Sequence, residues 1–278
     1  MAAAEQPDEL EPFDFEAGAR YWDTLYDSSG FDSLAYYRPR LERALAWVDS
    51  LCLPVGAQVL EIGFGAGRTA LALAQRGLIV TGIERGERML QLATARIARY
   101  GLAGRVELRS GDAHAIEAPD GTFDLVLALG VLPWVEQPGA CVREMGRVTR
   151  PGGHVIGSVA NRRQLNRVLD PRLSPVVQPA KQLAQRALRR GPREPRPNVS
   201  MPTHHSRRQY EQWLGAAGLQ PVRSATLGFG RFSLIGRPIV SEPRSIRVHQ
   251  RLQARADAGF PGLRSSGAQL LVLSRKPR

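Results

Sequence analysis

Cysteine is nearly absent from this chain: only Cys52 and Cys141 occur in 278 residues. Neither sits in a CxxC pair, which excludes a disulfide-stapled miniprotein and a thiolate metal site. Histidines and carboxylates do not cluster at ligand spacing either, so no metal is expected. No uninterrupted apolar run reaches the roughly 18 residues of a membrane-spanning helix. The stretch Met1 to Glu16 is acidic, with no cationic start and no apolar signal segment, which reads as a cytoplasmic, reducing location. What is present suffices for a core: 43% of residues are hydrophobic and 23% charged, which excludes wholesale disorder. The length suits one domain with decorations.

Lysine is as scarce as cysteine. Lys181 and Lys276 stand beside 36 arginines. That skew fits a GC-rich coding bias, so arginine count alone says little about phosphate binding. The distribution of charge says more. Residues 1–160 hold 15 basic and 21 acidic groups, net −6; residues 161–278 hold 23 and 5, net +18. A helical piece around Ala180 to Arg190 carries Leu183, Ala187 and Leu188 among Lys181, Arg186, Arg189 and Arg190. Such a piece fits a peripheral contact with an anionic membrane. The basic half could also meet RNA phosphates, but no aromatics interleave with its arginines to stack bases, which argues against nucleic acid.

The periodicity sets an order of elements. A tail over 1–12 precedes an N-terminal helical cap over 13–54, with a helix near Leu34 to Leu51. A core over 55–160 follows, with strands at Gln58–Ile62, Leu78–Ile83, Val106–Leu108, Phe123–Leu129 and His154–Val159. Helices at Thr69–Gln75, Glu87–Tyr100 and Ala140–Val148 alternate with them. This rhythm argues a mostly parallel sheet with helices on both faces. Residues 161–205 break it with prolines and arginines and read as an insertion after the fifth strand. The rest, 206–278, reads as the C-terminal part of the same fold: a helix opened by Ser206 with Gln209 as a capping box, then strand, helix and strand.

The densest signal is Val59-Leu60-Glu61-Ile62-Gly63-Phe64-Gly65-Ala66-Gly67. A strand runs into a G-x-G-x-G turn that opens a helix. A dinucleotide fingerprint would need a third glycine where Arg68 stands, and a pyrophosphate prefers a bare helix N-terminus. Glu61 instead suits a cationic ligand end. Glu84 closes the second strand, where a carboxylate can accept both hydroxyls of a ribose. Asp112 closes the third, where it can accept from an exocyclic amine, with the Ala113 amide beside it. Three ligand groups then come from three successive carboxyl ends of one sheet.

The series VLEIGFGAG, VTGIE, GDA, FDLVLALGVLPWV and RVTRPGGHVI resembles class I S-adenosylmethionine (SAM)-dependent methyltransferases, nearest the ubiquinone/menaquinone-biosynthesis branch. The resemblance covers residues 55–160 and extends to SRRQYEQWLGAAGLQPV. It implies a Rossmann-like α/β fold with a seven-stranded, mostly parallel sheet, and SAM as cofactor. By residue it implies Glu61, Gly63, Gly65 and Gly67 under the methionine part, Glu84 at the ribose, Asp112 and Ala113 at the adenine, and Leu129 and Gly130 beside the methyl donor. The segment Tyr21-Trp22-Asp23 through Tyr26 resembles the family's pocket cap.

Methyl transfer from a sulfonium needs alignment more than acid–base help. Where many relatives carry His after the fourth strand, Pro133 and Trp134 stand here, so no catalytic base is assigned. Tyr21, Trp134, His204 and His205 are the candidates for the acceptor side, and His114 reads as a local hydrogen-bonding residue. The Asp/Asn-Pro-Pro-aromatic turn of amino-methylating DNA enzymes is missing. So are a Pro-Cys nucleophile and a lysine-based tetrad. The expectation is an enzyme that methylates oxygen or carbon of a small organic acceptor, with a lipid-like or lipid-linked acceptor as the finer reading. The alternatives are an RNA methyltransferase and a catalytically inactive SAM-binding module.

Overall fold

β-branched and leucine side chains drive β1 (Gln58–Ile62), β2 (Ile79–Glu84), β3 (Val106–Ser110) and β4 (Phe123–Ala128) into adjacent parallel strands. The computed structural model describes residues 18–170, 202–234 and 237–278. The tail over 1–12 and the basic piece around Ala180 to Arg190 lie outside the described residues. β5 (Thr149–Asn161) adds in parallel to β4. β6 (His204–His205) is a two-residue strand, β7 runs over Gln220–Leu227, and β8 (Ser233–Leu234) pairs with β9 (Arg237–Pro238) as a separate ribbon. β10 (Gln269–Arg275) lies antiparallel between β5 and β7, giving the order β3-β2-β1-β4-β5-β10-β7. β6 is an addition to the seven expected strands: it pairs with Ala160 and Asn161, beyond Gly157, where the pairing of β5 with β4 ends.

The helices cover both faces. Along β4, Leu125 and Leu127 point to one side and Val126 and Ala128 to the other, and all four are fully buried. On the first side lie α2 (Arg38–Ser50), α3 (Arg68–Gln75) and α4 (Glu87–Arg99), through Ala44, Trp47, Leu73 and Ile97. On the second lie α5 (Pro138–Val148) and, after the short α6 (Leu165–Leu169), α7 (Arg207–Ala216), through Val142, Met145, Tyr210 and Leu214. α8 (Glu242–Asp257) packs on β7 near that edge of the sheet. Tyr210 and Leu214, four residues apart on one helix face, are thus core residues.

Two local expectations change. The single helix near Leu34 to Leu51 is a π-turn over Ser33–Tyr37 followed by α2. Pro39 lies in the first turn of α2; it donates no hydrogen bond and its ring crowds the preceding turn, which the wider π-turn relieves. The capping box at Ser206 is half formed. Ser206 Oγ accepts from the Gln209 amide at 3.2 Å, while the Gln209 side chain bonds His205 instead of the Ser206 backbone.

β1, β2 and β3 wind one way from the centre of the sheet and β4 starts the other way. The crevice at this switch point, beyond the strand carboxyl ends, is where an open α/β sheet takes ligands. α1 (Ala19–Thr24) lies over it.

Candidate functional site

A cavity of about 630 Å³ fills this crevice. Its floor is the loop after β1. Gly63, Gly65 and Gly67 all have positive φ, at 64°, 52° and 77°. At two of them space forbids a side chain as well: a Cβ on Gly63 would stand 2.3 Å from Val131, and one on Gly67 would stand 2.8 Å from Ala93. Gly65 meets nothing within 4 Å and leaves bare backbone facing the cavity.

Glu61, the fourth residue of β1, is 2% exposed. The Thr69 hydroxyl and the Ala70 amide donate to its carboxyl group, yet Oε2 has no partner. Burial, aided by the nearby Glu84 charge, pushes its pKa up to about 8. A buried carboxyl with an unused oxygen on a cavity wall is complementary to a cation.

Glu84 ends β2. Its Oε1 accepts from the amides of Arg85 and Gly86 at 2.9 and 3.1 Å, and its Oε2 accepts from the Gly65 amide at 3.1 Å. The three bonds fix the carboxylate and leave a lone pair on Oε2 for a ligand hydroxyl. Asp112 lies just past β3. Its Oδ1 accepts from the His114 amide at 3.0 Å and meets the His114 ring at 2.8 Å. These bonds hold the Asp112 carboxyl below its ordinary range. His114 therefore orients Asp112. Asp112 and Ala113 both line the cavity.

Leu129 and Gly130 follow β4 and form the next stretch of wall. The Gly130 amide donates to Ser158 Oγ at 2.8 Å. Gly130 has φ 82°, and a Cβ there would stand 2.7 Å from Arg40 Nη1. Arg40 was not singled out by the sequence. It is 7% exposed, in the first turn of α2. Nη2 donates to the Tyr26 hydroxyl at 3.3 Å, Nη1 to Gln269 at 3.4 Å, and the guanidinium lies over the Tyr37 ring at 5.4 Å. Its Nε is unpartnered, and it forms no ion pair with the described residues. A buried guanidinium without a carboxylate is complementary to an anion. A sequence signal existed: Arg40 sits four, seven and eight residues before Ala44, Trp47 and Val48, in register with the buried face of α2.

The roof comes from the cap. Trp22, Asp23 and Tyr26 line the cavity. Asp23 pairs with Arg68 and with Arg96, both at 2.8 Å, Asp27 also takes Arg68, and Arg96 donates to the Ala66 carbonyl. The acceptor side is aromatic. Trp22 meets Trp134 edge-on at 6.2 Å and Tyr37 at 5.7 Å, and Tyr37 meets Tyr26 at 5.6 Å. Burial raises the Tyr37 hydroxyl so far that it stays protonated.

The four residues expected on the acceptor side fall in different places. Trp134 lines the cavity; Tyr21, His204 and His205 do not. Tyr21 lies behind Trp22, with ring centroids 6.3 Å apart. The His205 ring is held by Thr203 Oγ1 at 2.9 Å and packs on Trp213 at 4.8 Å. His204 faces Arg167 at 3.3 Å, and burial with that neighbour pushes its pKa down to about 4. β6 as a whole is tied to the acceptor wall by the Thr203 amide, which donates to the Pro133 carbonyl at 2.6 Å. Among the described residues, no group of three or more His, Cys, Asp or Glu converges on one point as metal ligands would.

Residues 60–157, which include the glycine loop, Glu84, Asp112 and Gly130, match the family described as a methyltransferase domain. Over 156 residues the chain is 36% identical to a ubiquinone biosynthesis O-methyltransferase of Stutzerimonas stutzeri. Over these residues the chain is similar to the class I SAM-dependent methyltransferases. That alignment takes in 56% of this chain, and the chain spans about 64% of the length of the curated relatives it matches. Two solved structures share the methyltransferase fold almost end to end. Magnesium protoporphyrin IX methyltransferase from Synechocystis, with bound SAH, superposes with a TM-score of 0.60 at 18% identity, covering 94% of this chain and 96% of that one. The cyclase SpnF does so with a TM-score of 0.60 at 19% identity, covering 95% and 93%. At these identities the likeness is one of fold, and the chemistry has to be read from the site.

The cavity has room for the family's cofactor with space to spare, since small-molecule sites run from about 300 to 1,000 Å³. Its polar groups match SAM in kind: an orphaned buried carboxyl oxygen, an unpaired guanidinium and a carboxylate fixed by backbone amides.

Proposed function

We propose that this chain transfers a methyl group from SAM to an oxygen of a small, largely apolar acceptor. The observation that carries the reading is the set of three carboxyl groups, Glu61, Glu84 and Asp112, at successive strand ends around one cavity whose far wall is aromatic. When bound, SAM supplies a methyl on a sulfonium that is already activated toward a nucleophile. Glu61 Oε2 holds the ammonium of the methionine part, and Arg40 takes its carboxylate. Glu84 Oε2 accepts from a ribose hydroxyl. Asp112 accepts from the adenine amine, with the Ala113 amide toward a ring nitrogen. Gly63 and Gly65 let the backbone approach, and Leu129 and Gly130 flank the donor.

The acceptor lies against the edge-to-face pair of Trp22 and Trp134, which excludes water and orients it. Among the described residues on that wall no histidine or carboxylate is free to take a proton: Asp23 is held by two arginines and Tyr37 stays protonated. The acceptor oxygen is therefore one acidic enough to ionise by itself, as a phenol with electron-withdrawing substituents does. Oxygen is the accepting atom by likeness to the relatives, which are O-methyltransferases of ubiquinone biosynthesis. An apolar acceptor of this kind is lipid-like and partitions into bilayers, which brings the enzyme to a membrane face. Among the described residues no helix is long and apolar enough to cross that membrane.

The test is calorimetric titration with SAM and S-adenosylhomocysteine, beside an NADH control, on wild type and Glu84→Ala. Micromolar binding of both adenosyl ligands, weakened in the variant and absent for NADH, supports the reading. No binding of either overturns it. Binding without turnover on any phenolic acceptor would leave a SAM-fold module without methyl transfer.

A further inference from the structure

α8 carries a line of arginines. Arg244, Arg247, Arg251 and Arg255 recur at spacings of three, four and four, so their side chains leave the helix within one narrow arc. All four are exposed. None pairs with a carboxylate of the described residues. The acids at the two ends of α8 are already engaged: Glu242 accepts from the Phe31 amide at 2.8 Å and Asp257 pairs with Arg43 at 3.0 Å. Ser245, His249 and Ala256, on another face, are buried. The stripe is thus a fixed row of uncompensated charge on a packed helix.

Exposed aliphatic side chains adjoin the start of α8. Val168 and Leu169 of α6 are 40% and 57% exposed, and Ile239 is 61% exposed. Their segments are bound together. The Asn166 amide donates to the Arg231 carbonyl at 3.2 Å, the Ser233 hydroxyl to Asp170 at 2.7 Å, and the Ile239 amide to the Phe232 carbonyl at 3.0 Å. α6 also follows the end of β5, whose Ser158, Val159 and Ala160 form part of the cavity wall. The segments that bear the apolar residues are thus tied to one another and, through Arg231 and Glu242 at 3.9 Å, to the start of α8.

We propose that the surface made by α8, α6 and Ile239 docks the chain on an anionic lipid bilayer. The arginines meet the headgroup phosphates and the aliphatic side chains enter the acyl boundary. A nucleic acid would use the arginines but give Val168, Leu169 and Ile239 nothing to do, and no aromatic stands in the row to stack a base. The docking deepens the membrane-facing reading of the acceptor and rests on it only for its purpose, since binding a bilayer requires neither SAM nor turnover.

The test is co-sedimentation of the full chain with phosphatidylcholine vesicles, with and without one third phosphatidylglycerol, at low and high salt. The expected result is binding to the anionic vesicles alone, weakened by salt. Replacing all four arginines (R244Q, R247Q, R251Q, R255Q) weakens it roughly a thousandfold, at the worth of each arginine near a charged surface. L169S with I239S weakens it roughly tenfold. Both variants keep wild-type SAM affinity, which also reports that they are folded. A third variant removes the basic cluster at Lys181, Arg186, Arg189 and Arg190 and should retain most of the binding. Wild type that ignores anionic vesicles overturns the docking and leaves the methyltransferase reading standing. So does binding lost only in the third variant, or capture of an RNA oligonucleotide in place of vesicles. Failed SAM binding in wild type overturns the methyltransferase reading and leaves the vesicle result to decide the docking.

Discussion

Replacing Glu61 by glutamine should separate two roles of one carboxyl group. In the free protein burial holds the Glu61 pKa near 8, against 4.5 for an ordinary glutamate. That rise costs the ionised form about 5 kcal/mol. The folded pKa lies above the unfolded one, so the neutral acid favours the folded state fully below about pH 4.5. The advantage is lost as pH rises toward 8. An ammonium ligand reverses the preference, because it needs the carboxylate. Binding at neutral pH must therefore expel the Glu61 proton. SAM affinity should rise about tenfold per pH unit from about 5 to about 8. It should fall again above, where an α-amino group of the ligand loses its own proton near pH 8. Calorimetry in two buffers of different ionisation enthalpy reads the proton release directly. The Glu61→Gln protein should bind SAM weakly, release no proton, and lose the acidic limb of the profile. Without ligand it should be more stable than wild type at pH 8.5, by up to the cost above. A wild-type affinity that is flat from pH 6 to 8, or a glutamine variant with the same acidic limb, would refute the pairing of Glu61 with the ligand ammonium.

Other perturbations follow from the same geometry. Arg40→Ala should weaken SAM by roughly thirtyfold or more, as loss of a buried charge partner does, and leave a decarboxylated SAM analogue unaffected; titration of both ligands checks it. Gly130→Ala forces φ 82° on a side-chain-bearing residue and pushes a methyl against Arg40, so it should cost about 1–2 kcal/mol in urea unfolding and weaken SAM as well. Asp23→Asn removes the acid that links Arg68 and Arg96 over the glycine loop; SAM dissociation, followed by the fluorescence of Trp22 and Trp134, should speed about tenfold and lose much of its salt dependence. If the acceptor ionises by itself, the acidic limb of kcat/KM should move with the acceptor's pKa across a series of substituted phenols and stay fixed against protein variants.

The parallel half of the fold was legible because its strands are short, apolar and punctuated by glycine. β4 reads as a run with both faces buried, and it is one. Glu84 and Asp112 were legible because a strand end is a position that spacing can locate. Arg40 was missed for a different reason. Its role depends on α2 packing across the sheet until the guanidinium reaches Gly130, a contact 90 residues away in the chain. His204 and His205 misled in the opposite direction. A histidine pair at the end of a loop invites a chemical role, but β6 pairs with β5 and turns both rings to Thr203, Trp213 and Arg167. The aromatic wall lay between the two cases: Trp134 could be placed from its neighbours, while Trp22 and Tyr37 join it only through the cap.

Arg68 shows how one residue sets ligand class from two directions. A dinucleotide site needs glycine at this point so that a pyrophosphate can reach the first turn of the helix. Arg68 instead leaves that turn toward the cap. Its Nε donates to Asp23 at 2.8 Å, its Nη1 to Asp27 at 3.0 Å, and its guanidinium lies over Tyr26 at 5.4 Å. Its charge is matched by two aspartates, so little of it faces the cavity as an anion site. At the other end of the same loop Glu61 stays buried with one oxygen unused. A pyrophosphate would therefore find a neutralised arginine at one side and a carboxyl group at the other. Arg68→Gly alone should not create NADH binding, because the buried Glu61 carboxyl group still offers the phosphates no positive charge and cannot ionise beside them. It should instead loosen SAM, because the cap loses two of its ion pairs. The loop that resembles a phosphate cradle in outline selects by its charges for a ligand with a cationic end.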